Sequence, residues 1–367
     1  MVRVFVDGII YQMQAHGGIS RIFNETLPTI SATQPDIEFL LRLPLDLKSV
    51  PESLTSAERI RVMHDVDLRP RRFLQHYNDR INYRRWLKFD PQIFHTTYYS
   101  GCPFPQAKTI VTVYDFIDEH TFDGMSANWK GFSNHQRQSI NSADAVIAIS
   151  ESTKADILKF TDAEEHKVTA IPLSVGRSFS CAPPIEAHEI DAFRARYRIE
   201  MPYWLYVGTR RVYKNFDRLL RAWAVLTNYY KIETQLVVVG SYLGPDAYGI
   251  DAYQAEFLIQ NRLENRIKLL SNVSDTELRT AYSGAQAFVF PSLSEGFGIP
   301  QLEAMACGTP LILSDIPVFH EVSADAAMYF DPHDHEELAY IMWRMMNQRV
   351  RQEIIAKGAQ RLSLFSW

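Results

Sequence analysis

Short β-branched runs recur along this chain, and helical patterns lie between them. The runs "AVIAIS" (145–150) and "LVVVG" (236–240) are apolar at nearly every position, without the in–out alternation of a strand that has one wet face. Such strands must be covered on both sides, as in a parallel sheet sandwiched by helices. Strands are expected at 3–6, 37–41, 92–95, 109–114, 145–149 and 167–171. A second series is expected at 204–207, 235–239, 267–269, 287–290 and 310–314. Helices are expected between them, for example at 20–30, 152–159, 215–227 and 275–283. Strands alternating with amphipathic helices predict an α/β chain.

At 367 residues the chain is long enough for two domains with full cores. The alternation weakens between Pro172 and Pro202, where "SVGRSFSCAPPIEAHE" is rich in Ser, Pro and Gly. The expected organisation is a first domain over 1–175, a linker over 176–202 and a second domain over 203–367, each a doubly wound, Rossmann-like sheet. Such sheets bind ligands beyond the carboxyl ends of their strands, so two facing halves imply a cleft between them. The architecture serves many chemistries, and function has to be argued from sites.

Composition narrows the field. A net charge of -5 argues against nucleic acid as a partner. Cys102, Cys181 and Cys307 lie far apart with no metal-ligand spacing, which predicts neither a disulfide framework nor a metal centre and suits a reducing cytoplasm. The opening "MVRVFVDGII" is too short for a secretion signal and is broken by Asp7. No window approaches the roughly 18 apolar residues of a membrane span.

Three loops look suited to a phosphorylated ligand. "QAHGGISR" sets Gly17 and Gly18 just before a helix that Ser20 would cap, where bare backbone can approach an anion; a plain tight turn is the other reading. "LYVGTRRVYKNFDRLLRAW" places Arg210, Arg211 and Lys214 at the carboxyl end of a strand, where a pyrophosphate needs cations, although a solvated basic loop looks the same. The third loop, "SLSEGFGI", follows strand 287–290 and leads into a short helix, with Pro300 in its first turn and Gly308 at its stop. Backbone amides of about residues 297–301 would face out of the helix end. Glu303 lies one turn inside, and helical side chains lean toward the N-terminus, so its carboxylate is expected near the mouth that Glu295 borders. Two carboxylates beside an anion site fit a ligand with phosphate in the middle and hydroxyls at both ends, which is the layout of a nucleotide sugar.

The segment "SEGFGIPQLEAMACGTPLILSD" resembles the E-x7-E signature of retaining glycosyltransferases of family 4, which have the two-domain GT-B fold. "GGISR", "FHTTYY", "VTVYDFIDE", "AVIAISESTKADI", "VGTRRVYKNFDRLL" and "DTELRTAYSGAQAFVFPS" follow in the family's order, so the resemblance covers nearly the whole chain. It implies that Arg210 and Lys214 hold the donor diphosphate. Glu295 would bind hydroxyls of the transferred sugar, the amides of Gly296, Phe297, Gly298 and Ile299 would meet sugar and phosphate, and Glu303 would bind the ribose. Gly17 and Gly18 would approach the phosphates. Many members have His-Asp where this chain has Tyr114-Asp115, so a role resting on that His does not transfer; Asp115 matches and is implied near the sugar or acceptor. His95 and Tyr114 are further acceptor-side candidates, and a core histidine is the competing reading of His95. The family pattern continues past "LFSW" into a helix that crosses back to the first domain, and this sequence stops before it.

The implied chemistry is transfer of a hexose with retention through an oxocarbenium-like transition state. Glu295, Asp115, Arg210 and Lys214 are the catalytic candidates, and cations with helix amides would steady the departing diphosphate without a metal or other cofactor. Asp65-Val66-Asp67 has the D-x-D spacing of metal-dependent sugar transferases of another fold, but short acidic pairs recur by chance among 43 acidic residues. Residues 68–89 carry seven Lys/Arg against one acidic residue, and Phe73, Tyr77 and Ile81 recur every four residues. That pattern predicts peripheral contact with an anionic membrane or a lipid-diphosphate acceptor, unless the basic face is merely solvated. The opening "VDGIIYQMQAHGGIS" and the "YKNF" loop resemble O-antigen mannosyltransferases, which implies GDP-mannose as donor and a glycan or lipid-linked acceptor. A nucleotide-sugar 2-epimerase of the same architecture and a non-catalytic nucleotide-sugar-binding module stay open. A nicotinamide dehydrogenase is disfavoured, because no G-x-G-x-x-G follows the first strand.

Overall fold

The computed structural model describes residues 1–13, 17–43, 52–69, 71–121, 127–180, 182–240 and 252–367, with side chains described except at 71–73, 121 and 127–131. The chain divides into two compact units. One comprises Met1–Asp118, Phe122–Leu173 and Trp367; the other comprises Glu119–Thr121 and Ser174–Ser366. Cys181 and residues 14–16 lie outside the described residues.

The first unit carries β1 (Val2–Val6), β2 (Ile37–Leu43), β3 (Ile60–His64), β4 (Ile93–Thr96), β5 (Lys108–Val113), β6 (Ala145–Ala148) and β7 (Val168–Ala170). They pair in the order β3-β2-β1-β4-β5-β6-β7, all parallel. The second unit carries β8 (Tyr203–Val207), β9 (Gln235–Val239), β10 (Ile267–Leu270), β11 (Ala287–Phe290), β12 (Leu311–Ser314) and β13 (Met328–Phe330). Their order is β10-β9-β8-β11-β12-β13, again all parallel. Both sheets are doubly wound, as the uninterrupted apolar runs require. Each has one edge strand that the pattern did not reveal. β3 reads "IRVMH" and is only partly buried, and β13 has three residues.

The second core is built on buried rings. Trp204 of β8 and Trp223 of the helix Phe216–Asn228 are fully buried, and both indole N–H groups donate to the Thr234 hydroxyl, at 3.1 and 3.3 Å. One threonine thus satisfies two donors that would otherwise be costly inside. In the first unit Phe5, Phe94 and Phe104 form the centre of an aromatic cluster, with Trp86 edge-on to Phe5.

One expectation is corrected here. The stretch 176–202 is not a linker, since it holds the helices Arg177–Ser180 and Ala187–Tyr197, both within the second unit. Phe179 and Phe193 are buried there, Tyr197 donates to Glu277 at 2.8 Å, and the Glu189 carboxylate accepts the Glu186 N–H at 2.8 Å as a helix start. Ser, Pro and Gly mark turns, but two well-spaced aromatic anchors decide the packing.

The helix Arg71–Leu87 is basic, as expected. Its buried positions include Asn78 and Asn82, whose side-chain amides pair with the backbone of Leu68 and Val66 at 2.7–3.2 Å, as a neighbouring strand would. Tyr77 is 60% exposed and Ile81 half-buried, and the Phe73 side chain lies outside those described. Among the described residues no helix is long and apolar enough to cross a membrane.

Candidate functional site

In the second sheet, chain order runs outward in opposite directions from β8 and β11. Loops leaving these two strands stand side by side at the carboxyl edge, at the switch point where doubly wound sheets take their ligands. The loops are those of "GTRRVYKN" and "PSLSEGFG". They are stapled together: the Leu293 N–H donates to the Tyr213 carbonyl at 2.7 Å, and the Asn215 amide donates to the Pro291 and Pro332 carbonyls at 3.0 and 2.8 Å. Asn215 holds φ 55, a left-handed position that Asn tolerates well.

At this edge Lys214 Nζ lies 2.6 Å from Glu295 Oε1, with the side chains 13% and 9% exposed. The Ser292 hydroxyl donates to the same oxygen at 2.7 Å. The ammonium also stands 5.0 Å from the Phe290 ring centre and 5.3 Å from that of Tyr213, where ring faces attract a cation. Arg210 is half-buried with its guanidinium 5.9 Å from the Phe216 ring, and Arg211 is exposed. Gly208, at the exit of β8, has φ 145, and Gly240, at the exit of β9, has φ 153. A Cβ on Gly240 would stand 2.3 Å from the Gly208 carbonyl oxygen, so this glycine allows the Arg210–Lys214 loop to leave where it does.

The helix Ile299–Ala306 starts from Gly298, at φ 86, with Pro300 in its first turn, and Gly308 follows its end at φ 66. The Gln301 N–H returns to the Gly298 carbonyl at 3.0 Å, and Pro300 has no N–H, so a helix-end anion site is confined to amides before Pro300. The Gln301 side chain ties down Phe297, donating to its carbonyl at 2.7 Å while accepting from Ser323 at 2.6 Å. Glu303 is 4% exposed, and Tyr282, fully buried, donates its hydroxyl to Glu303 Oε2 at 3.1 Å. Near it, burial pushes the Cys307 thiol up to about 12, with Arg279 opposing and Glu303 adding to the rise.

In the first unit the helix Gly18–Thr33 begins one residue after Gly17, which is extended at φ -168. Ser20 is not the cap. It lies three residues inside and accepts the Gly17 N–H at 3.0 Å, because a glycine cap has no side chain of its own to close the turn. Among the described residues, a Cβ placed on Gly18 meets no atom within 4 Å, so the backbone there is open to approach.

Tyr114 is buried and donates to the Thr97 carbonyl at 2.8 Å; burial holds its phenol well above the ordinary tyrosine range. Asp115 is half-buried, and its carboxylate accepts the Ile117 N–H at 3.4 Å. His95 packs edge-on to Phe23 with Nε2 2.9 Å from the Thr112 hydroxyl, and burial lowers its pKa to about 4 against the opposing pull of Asp7. Its Nε2 engaged at Thr112 and its edge-on contact with Phe23 are the features of the packing histidine that was the competing reading. Asp65 is paired with Arg42 at 2.7 Å, and Asp67 stands 3.6 Å from Arg69, so the D-x-D carboxylates face cations of the chain itself. Among the described residues no three His, Cys, Asp or Glu side chains group as metal ligands.

Sequence reading missed Asp7, Asn215, Gly240 and Tyr282. For Asp7 a signal existed: a carboxylate directly after the buried strand "VRVFV" is placed at a ligand-bearing edge.

Residues 44–178 match the family described as Glycosyltransferase Family 4, and residues 189–361 match the family described as Glycosyl transferases group 1. The O-antigen chain mannosyltransferase B of Escherichia coli is 28% identical over 63% of this chain and 59% of its own length. The O-antigen chain mannosyltransferase RfbU of Salmonella typhimurium is 32% identical over 54% and 50%. The chain thus spans about half the length of these curated relatives. Sucrose-phosphate synthase of Thermosynechococcus elongatus superposes with a TM-score of 0.74 at 18% identity, over 100% of this chain and 96% of that one. WaaG, a glycosyltransferase involved in lipopolysaccharide biosynthesis, gives 0.70 at 15%, over 99% and 95%. With two doubly wound sheets and tandem family matches over both units, the chain belongs to the family-4-like glycosyltransferases of the GT-B fold.

Proposed function

We propose that the chain is a retaining hexosyltransferase that moves a hexose, with GDP-mannose as the first donor candidate, onto a glycan or lipid-linked acceptor in surface polysaccharide assembly. The observation that carries this reading is the Lys214–Glu295 pair at the β8/β11 switch point. Lys214, the cation meant for the diphosphate, neutralises Glu295, the carboxylate meant for the sugar. On donor binding, sugar hydroxyls replace Lys214 at Glu295 while phosphate oxygens take the ammonium and Arg210. Glu303, held by Tyr282, receives the ribose. Fixed cations and amides at the departing diphosphate stabilise the transition state without reorganising, and no metal is required in this reading. The names of the mannosyltransferase relatives support the sugar, and a structural neighbour, HepE of Anabaena, was solved with UDP-glucose, which supports the donor class.

The test is thermal shift of the purified chain with GDP, UDP, ADP and their sugars, followed by turnover with and without EDTA. One base should raise the melting temperature by several degrees. No shift with any nucleotide refutes the donor site, and turnover lost in EDTA and restored by Mg2+ refutes metal independence. A time course without acceptor separates transfer from 2-epimerisation, since only the epimerase consumes donor alone. The exposed basic residues Arg80, Arg84 and Lys88 beside exposed Tyr77 support peripheral contact with anionic lipid. Vesicles containing phosphatidylglycerol should retain the protein at low salt and release it at high salt; equal retention on neutral vesicles counts against it.

A further inference from the structure

The Phe297 carbonyl and the Gly298 N–H are opposite ends of one planar trans peptide, so whatever pulls the carbonyl one way aims the N–H the other. The group that pulls is Gln301. Its side-chain N–H donates to that carbonyl at 2.7 Å and its side-chain oxygen accepts the Ser323 hydroxyl at 2.6 Å. Gln301 and Ser323 are both wholly buried. The Gly298 N–H is thereby aimed away from the buried amide. Among the described residues nothing accepts it, nor the Ile299 N–H that follows.

Gly298 itself makes room for this arrangement. A Cβ there would stand 2.6 Å from Gln301 Nε2 and 3.0 Å from the Phe319 ring, and its φ of 86 favours glycine. Ser323 closes the helix Pro317–Ser323, whose last carbonyls are fixed in turn. The Arg361 guanidinium donates to those of Val322 and Glu321, at 2.8 and 2.5 Å. It also lies 5.4 Å from the Phe365 ring centre, and Phe365 meets Phe297 edge-on at 6.0 Å. Phe297 is thus held at its carbonyl and at its ring.

An apolar side chain of this shape would pack as well, because a buried amide must satisfy both of its ends before it gains anything. Bridging a hydroxyl to a carbonyl takes one group that both accepts and donates, which Gln offers and Glu or Met does not. What the amide adds is direction.

We propose that Gln301 is a positioning residue for the donor. By fixing the Phe297–Gly298 peptide it presents the Gly298 and Ile299 N–H groups to the distal phosphate of a nucleoside diphosphate, and Ser323 keeps the amide in orientation. The assignment rests on the donor reading, in which Glu295, three residues before Gly298, meets the sugar that hangs on that phosphate.

The experiment is isothermal titration of the full chain with GDP against GMP, and with the uridine and adenosine pairs in parallel, beside melting temperatures. The wild type should bind one diphosphate more tightly than its monophosphate. Gln301→Met should cut the diphosphate affinity by about tenfold, roughly one hydrogen bond to a charged group, and leave the monophosphate within about twofold. Ser323→Ala should act in the same direction, and it carries the test if Gln301→Met does not fold. The double variant strands no hydroxyl, so it should regain part of the lost melting temperature without regaining diphosphate affinity. Diphosphate and monophosphate affinities that fall together overturn the assignment, as does diphosphate affinity that recovers with stability in the double variant. Variants that keep the wild-type preference overturn it alone. A wild type that binds no nucleotide removes the donor reading, and the assignment with it.

Discussion

Removing the charge of Lys214 should destabilise the second unit, and removing the charge of Glu295 as well should recover much of the loss. At 2.6 Å the pair attracts with about 6 kcal/mol if the local dielectric is about 20. Most of that offsets the desolvation of two groups that are 13% and 9% exposed. Lys214→Met leaves Glu295 with the Ser292 hydroxyl as its described polar side-chain partner, and an uncompensated, mostly buried carboxylate costs about 2–3 kcal/mol. For a unit of this size that is about 4–12 °C in melting temperature. Glu295→Gln strands the ammonium between two aromatic rings and should cost less, because the ring faces still attract it. The double variant carries no charge to strand, so the cycle should return a coupling of about 2 kcal/mol. Calorimetry of the four proteins reads stability, and isothermal titration with GDP reads affinity, which should fall in all three variants. Additive single effects, with coupling below about 0.5 kcal/mol, would refute the idea that the two charges hold each other.

Three other perturbations follow from the geometry. Gly240→Ala puts a methyl 2.3 Å from the Gly208 carbonyl at an unfavourable φ, so it should cost about 2–3 kcal/mol and weaken nucleotide binding through the displaced loop; an unchanged melting temperature disproves the close approach. His95 binds a proton less readily folded, near 4, than unfolded, near 6.5. Its stabilisation is therefore present above pH 6.5 and lost as pH falls toward 4, by about 2–3 kcal/mol, and His95→Gln should flatten that stretch of the stability profile; parallel profiles would argue against a buried neutral imidazole. Ala324 occupies φ 46, ψ -117, with its carbonyl held by the Tyr329 hydroxyl at 2.6 Å, so Ala324→Gly should stabilise by about 0.5–1 kcal/mol, and a lower melting temperature would contradict the strain.

The interior strands and the turns after β8 and β11 were legible because their signals are local. "LVVVG" needs no partner to announce a strand covered on both faces, and Pro300 and Gly308 bound their helix by backbone rules alone. The edge strands β3 and β13 were illegible because an edge is half solvated and short, and its pattern resembles a loop. The helices inside 176–202 were hidden by turn-forming residues around two anchoring phenylalanines. The buried face of the basic helix was illegible for a different reason: Asn78 and Asn82 are buried there because each completes backbone hydrogen bonds of an extended segment.

What the sequence determined by itself was the α/β class, the E-x7-E segment with its cations and the family, all carried by spacings of a few residues. The tertiary structure alone decided which groups meet. Lys214 pairs with Glu295 across 81 positions, and Asp7 holds Thr97 across 90. No local preference encodes such contacts, because they exist only once β8 lies beside β11 and β1 beside β4 and each doubly wound sheet brings distant strand ends to one edge.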